Sequence, residues 1–257
     1  MRIALGFAAG FLATVAAISP AIAQEPPSAV PLAESIGNLH PGTDWTVLRG
    51  ADLAAESRPT DPQEEPARSL LVSICKTLAE RKRTDRHVLL HQLGMRPTQV
   101  RILNSYSEPI AMPAAELLSP ESTAKFRDDF AKGLASPDAK LEVVDERTPE
   151  LFATTKCLAL GFRTTANGET FCLDYYFVPS GPRLAYFESV YLPGDAEART
   201  AAEAVLRTFD GAVDPAEASS LLKSMTIGGI TGAIAGIFAA MLRRRLQARA
   251  AANAAAS

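Results

Sequence analysis

The chain has 257 residues, of which 47% are hydrophobic and 21% charged, a composition of ordinary globular proteins that leaves room for one large or two small domains. The formal net charge of −3 excludes the basic surface that nucleic-acid phosphates require, so no nucleic-acid partner is expected. No segment has the low hydrophobicity and high charge of a long disordered region.

The first element is MRIALGFAAGFLATVAAISPAIAQ. Arg2 is a positive start, Ile3 to Ile18 an uncharged run, Ser19-Pro20 a helix break, and Ala21-Ile22-Ala23 an A-x-A site before Gln24. That is the pattern of a secretory signal peptide over residues 1–23, the alternative being an uncleaved anchor. Residues 24–39 and 57–67, rich in Pro, Ser and acids, read as a linker and an internal loop. Between them TDWTVLRG, with the single Trp45, reads as a short strand.

ARSLLVSICKTLAERKR, residues 67–83, is expected to be a helix, because Leu70, Leu71, Ile74, Cys75, Leu78 and Ala79 recur with helical spacing. HVLLH follows. On a helix His87 and His91 would share a face, as two metal ligands require. Val88 stands where H-E-x-x-H has its Glu, and Arg81, Lys82, Arg83 and Arg86 oppose a cation, so no metal is expected. The segment is also compatible with a strand, and the basic run reads as a solvated face, the alternative being contact with lipid headgroups or an acidic partner.

A second helix opens at Ser119-Pro120, a cap followed by Pro at the first helical position, and carries Phe126, Phe130 and Leu134 on one side. Four strands then read clearly: KLEVVDE (140–146), KCLALGFRT (156–164), TFCLDYYFV (170–178) and RLAYFESVYL (183–192). Asn167-Gly168 is a two-residue hairpin signal, and it sets a register in which Leu158 faces Phe177, Leu160 faces Tyr175 and Phe162 faces Leu173. A tight turn at Pro179-Ser180-Gly181-Pro182 returns the last strand. The alternation sends Tyr175 and Tyr186 to the core face. Tyr176 and Tyr191 go to the other, where helix 67–83 is expected to cover them. A third helix runs from near Asp195 to Gly211 and closes the meander. The expected architecture is α+β over residues 40–212: an antiparallel meander sheet packed with helices.

Residues 213–223 read as a helical juxtamembrane segment opening at Asp214-Pro215. From Ser224 to Leu242 no residue is charged, and as a helix that stretch spans roughly 28 Å, enough to cross a bilayer. Gly228, Gly232, Gly236 and Ala240 fall on one face, where two backbones can approach closely. Arg243, Arg244 and Arg245 begin a short basic tail, residues 243–257, that the positive-inside rule places in the cytoplasm. The expected location is a bacterial-type inner membrane, single-pass, with the domain in the periplasm.

The order STAKFRDDFAKGL, KLEVVDERT, TTKCLALGFRTTANGETFCLDYYFVPSGPRLAYFESVYL, EARTAAEAVLRTF resembles the PsbP-like fold family and its bacterial envelope relatives over about residues 119–210. The resemblance implies a non-catalytic accessory or binding role. The helical stretch around residues 67–94 departs from that family's pattern.

The chemistry-bearing residues are sparse. The Asn-Gly register puts Cys157 opposite Val178 and Cys172 opposite Arg163, about 20 Å apart along the ladder, so these two cannot pair. A disulfide, if one forms, joins Cys75 to Cys157 or Cys172; buried free thiols are the alternative. No phosphate loop, dinucleotide fingerprint or nucleophile elbow is present, and no spacing pairs Asp145, Glu146, Glu150, Asp174 and Glu188 for acid–base work. No catalytic residue, metal or cofactor is expected. The reading is a non-enzymatic, membrane-tethered envelope protein whose domain binds a protein or ligand partner. The small-residue face of its span would take a second copy or another membrane protein. The alternatives are a motif-free periplasmic enzyme and an assembly protein acting through its span.

Overall fold

The register set by Asn-Gly holds in three dimensions: Leu158 lies opposite Phe177, Leu160 opposite Tyr175 and Phe162 opposite Leu173. The structure, a computed structural model, describes residues 29–56, 66–93, 100–134, 139–166 and 169–215. In chain order these form β1 (Val30–Pro31), β2 (Asn38–Leu39), β3 (Thr46–Arg49), α1 (Ala51–Glu56), α2 (Pro66–Glu80), β4 (Val88–Leu93) and β5 (Val100–Glu108). They continue with α3 (Ala114–Leu117), α4 (Pro120–Leu134), β6 (Ala139–Arg147), β7 (Leu158–Ala166), β8 (Glu169–Ser180), β9 (Arg183–Tyr191) and α5 (Ala198–Leu206). Strands β3 to β9 make one antiparallel sheet in the order β3-β4-β5-β9-β8-β7-β6, and β1 with β2 makes a small separate ribbon.

The sheet is thus wider than the four expected strands. VLLH of this motif lies in β4 and His87 is the residue just before it, so the two histidines do not share a helix face. β5, VRILNSYSE, went unread although it is central: it pairs with β4 on one side and with β9 on the other. The chain crosses from β5 to the far edge through α3 and α4, and the meander β6–β9 brings it back.

Helices cover the sheet on both faces. On the first face Leu70, Leu71, Ile74, Cys75 and Leu78 of α2 and Phe126 and Phe130 of α4 pack on the even positions of β7 and odd positions of β8. Ser119 Oγ accepts from the Ser122 amide at 3.3 Å, so α4 starts at the expected cap. The Phe130 ring meets Tyr175 at 4.9 Å and Phe177 edge-on at 5.0 Å, the offset geometry that aromatic quadrupoles favour.

The second face corrects two expectations. α5 packs here and not on the first face, so α5, and not helix 67–83, covers Tyr176. Residues 30–39 are not a linker: Val30, Leu32, Ile36 and Leu39 are buried with Trp45, Tyr176, Phe187 and Phe209. The prolines and acids of that stretch sit between buried aliphatic residues, and composition averaged the two together.

The ribbon is clasped to the end of the domain. Gly37 (φ +140) packs on Gly211, where an added Cβ would stand 1.8 Å from the Ile36 carbonyl oxygen. The Asn38 side-chain amide donates to Asp210 at 2.9 Å, and the Asp210 amide donates to the Asn38 carbonyl at 3.2 Å. Among the described residues no helix is long and apolar enough to cross a membrane. The expected signal peptide (1–23), the span (224–242) with Gly228, Gly232, Gly236 and Ala240, and the tail with Arg243, Arg244 and Arg245 lie outside the described residues.

Candidate functional site

Strand alternation places Cys172, Asp174 and Tyr176 of β8 on the second face. Asp174 is almost fully buried, and burial of a lone carboxylate would be costly. It is held from three elements. Arg199, in the first turn of α5, donates Nε to Oδ2 at 2.9 Å and Nη2 to Oδ1 at 3.0 Å. Tyr191 of β9 donates its hydroxyl to Oδ2 at 3.1 Å. The Arg147 guanidinium of β6 stands 3.4 Å from the same oxygen. These contacts raise the Arg199 guanidinium above its usual range, the Asp174 bonds being the main cause.

Arg147 also donates to Glu203 at 2.9 Å and to the Tyr176 hydroxyl at 3.1 Å, and its guanidinium stacks 5.2 Å from the Tyr176 ring centre. Asp145 joins through Arg199 Nη1 at 2.9 Å. It reaches inward because β6 has a bulge between Val143 and Asp145. Gly161 beneath makes the room: a Cβ there would sit 2.0 Å from Asp145 Oδ1 and 3.1 Å from Asp174 Oδ1. Next to this cluster Arg101 of β5 grips Asp195 with two bonds of 2.7 Å and lowers its carboxyl below the usual range.

Between the cluster and the edge of β6 opens a recess of about 300 Å³, lined by Val144, Arg163, Cys172, Asp174, Tyr191, Arg199 and the turn 194–196. A larger depression of about 640 Å³ lies between α3, the loop 148–156 and Asp214, with Leu118, Phe152 and Lys156 in its walls.

The first face carries a buried polar chain. The Tyr175 hydroxyl donates to Glu188 at 2.8 Å, the Asn104 amide donates to Glu188 at 3.2 Å, and Asn104 Oδ1 faces His87 Nδ1 at 3.0 Å. Since the Asn104 amide is committed to Glu188, its oxygen accepts, and His87 carries its proton on Nδ1. Burial pushes the His87 imidazole down to about 4 and raises the Glu188 carboxyl.

The sequence-expected residues thus scatter. Asp145 and Asp174 come together, Glu188 faces the opposite core, and Glu146 pairs with Arg127 at 3.4 Å on the surface. His87 is a core hydrogen-bonding group, and among the described residues no His, Cys, Asp and Glu group is arranged to hold a metal. The three cysteines are free, the alternative to a bridge that the sequence left open: Cys75 belongs to the first face, Cys157 and Cys172 to the second. Burial pushes the Cys75 and Cys157 thiols up to about 12 and raises Cys172, so none is a ready thiolate nucleophile. The arginines of the cluster went unread. One signal was available: Arg199 and Glu203 stand four apart in α5 and share a helix face.

No protein-family model matches the chain, and no curated protein matches its sequence. In three dimensions it is similar to cyanobacterial PsbP (CyanoP) from Synechocystis sp. PCC 6803, a solution structure, with 9% identity, a TM-score of 0.40, and coverage of 69% of this chain and 88% of that one. The PsbP-like resemblance found in the element order therefore reappears as a distant likeness of fold, and it carries nothing about activity.

Proposed function

We propose that this protein is a non-enzymatic, membrane-tethered envelope protein whose α+β domain binds a partner outside the cytoplasm. The observation that carries the reading is the closure of the domain at Asp214. Val213 donates its amide to the Pro179 carbonyl at 3.0 Å, and the Ala114 amide donates to Asp214 at 2.7 Å. The ribbon is clasped at Gly211 just before. The described side chains that fill the two sheet faces come from residues 30–212, and the uncharged run begins at Ser224, nine residues beyond Pro215. An uncharged run of that length is long enough to cross a bilayer as a helix, and lipid would take it.

A binding role is supported by how the acids are used. Asp174 and Asp195 are neutralised by arginines that lock α5 to the sheet, an arrangement suited to a rigid surface and ill suited to proton transfer. The small-residue face of Gly228, Gly232, Gly236 and Ala240 is proposed to take a second copy or another membrane protein. The test is a reporter fused after Ser257. Green fluorescence without alkaline phosphatase activity is expected; phosphatase activity at that site removes the proposed topology.

A further inference from the structure

Resting on the reading of this protein as a binding domain, we infer that the recess beside β6 recognises an acidic–aliphatic segment of a protein partner: one carboxylate side chain next to a Val-, Ile- or Leu-like one. The recess shows its arginines to solvent and hides its carboxylates. Its two carboxylates, Asp174 and Asp195, are 1% and 6% exposed and are each held by an arginine. Its two guanidiniums, Arg163 and Arg199, are 45% and 36% exposed. The groups the lining offers to a ligand are therefore guanidinium donors rather than carboxylate acceptors.

Arg163 is the group with donors to spare. Its carboxylate neighbour among the described residues is Glu142, 3.6 Å away and itself 56% exposed. Such surface pairs hold weakly, so an incoming carboxylate displaces Glu142 at little cost. A guanidinium forks onto a carboxylate with two parallel bonds, and the geometry favours that group over a point anion.

The aliphatic requirement comes from the bulge. Val143 and Val144 of β6 are 42% and 45% exposed, two of the three large apolar side chains so exposed among the described residues, and Val144 forms a wall of the recess. β6 is the last strand of the sheet, so no strand among the described residues covers them. A free carboxylate filling the recess would leave Val144 wet. A peptide segment reaches Arg163 and Val144 together, and that decides for a protein partner over a small metabolite.

The experiment uses the full-length protein in detergent micelles and fluorescence anisotropy of a labelled peptide, Gly-Ser-Val-Asp-Val-Glu-Gly-Ser, beside a version with both acids replaced by Lys. The acidic peptide should bind and the basic one should not. Arg163→Glu should weaken binding about tenfold or more, the worth of a charge-assisted hydrogen bond. Val144→Ser should weaken it a few fold. Arg207→Glu, an equal change of charge at the exposed residue that caps the C-terminus of α5, should leave it as in the parent. Equal binding of the two peptides, equal effects of the two charge reversals, or an Arg163→Glu protein that binds like the parent would each overturn the inference. Complete displacement of the peptide by millimolar sodium acetate would overturn it too, because the recess would then be a free-anion site. The reporter fusion reads the tether separately, so failure here removes the partner chemistry and leaves the tethered domain standing.

Discussion

Arg199 forks onto Asp174, Nε to Oδ2 at 2.9 Å and Nη2 to Oδ1 at 3.0 Å, and in doing so fastens α5 to the centre of the meander. Removing one side of a buried pair is more damaging than removing both, because the remaining charge stays buried without its partner. Arg199→Ala should therefore cost about 2–4 kcal/mol, softened by Tyr191 and Arg147, which still reach Asp174. Arg199→Met with Asp174→Leu should recover much of that loss. Urea midpoints of the three proteins check it, and a double variant as unstable as Arg199→Ala would show that the charges matter for more than pairing.

Gly211→Ala tests the clasp. Its new Cβ would meet the backbone oxygen of Ile36 at 1.8 Å, and a backbone atom cannot rotate away as a side-chain tip can. The ribbon must part from the end of the domain, at a cost of about 3 kcal/mol or more. Limited proteolysis should cut near residue 37 in the variant before the parent is touched, and circular dichroism melts should show a lower midpoint.

Acid should weaken the fold through His87. In the unfolded chain the imidazole takes its proton near pH 6.5, and in the folded one only at about pH 4. Its contribution to stability is complete above pH 6.5 and is lost as pH falls toward 4, by up to roughly 3 kcal/mol. Glu188 acts in the opposite sense: burial raises its carboxyl, so the folded state binds that proton more tightly and gains stability as pH falls through the raised value. His87→Gln should flatten the acid loss and Glu188→Gln should steepen it. Urea midpoints at pH 7, 6, 5 and 4 distinguish the two slopes, and identical slopes would mean that neither group titrates during unfolding.

The thiols should separate by burial. Cys75 and Cys157 are buried with their thiols at about 12, and Cys172 is half-buried beside the recess. N-ethylmaleimide should label Cys172 slowly in the native protein and all three cysteines in urea, as read by intact mass. A native mass that shows Cys75 linked to either partner would contradict the placement of α2 on the first face.

Local rules determined a good deal by themselves. Asn167-Gly168 admits few loop geometries, so one dipeptide set the whole β7–β8 ladder, and alternation then assigned each side chain on it to a face. Ser119-Pro120 started α4, and Phe126 and Phe130 named its buried side. What tertiary structure decided lies at long range. β5 reads as polar and apolar in turn, and nothing local says that it inserts beside β9, 80-odd residues later, because strand neighbours are chosen by closing one sheet. Residues 30–39 look like a linker until the second face, left uncovered by α2 and α4, takes their aliphatic side chains as its cover. Arg147, Arg199 and Asp174 come from three elements and carry no motif, since an ion-pair cluster depends on three-dimensional placement and not on spacing. His87, Asn104 and Glu188 look like surface residues in the sequence, whereas alternation already sends their neighbour Tyr175 to the core face. They became a buried chain only because a helix lies over that face and each polar group found a partner there.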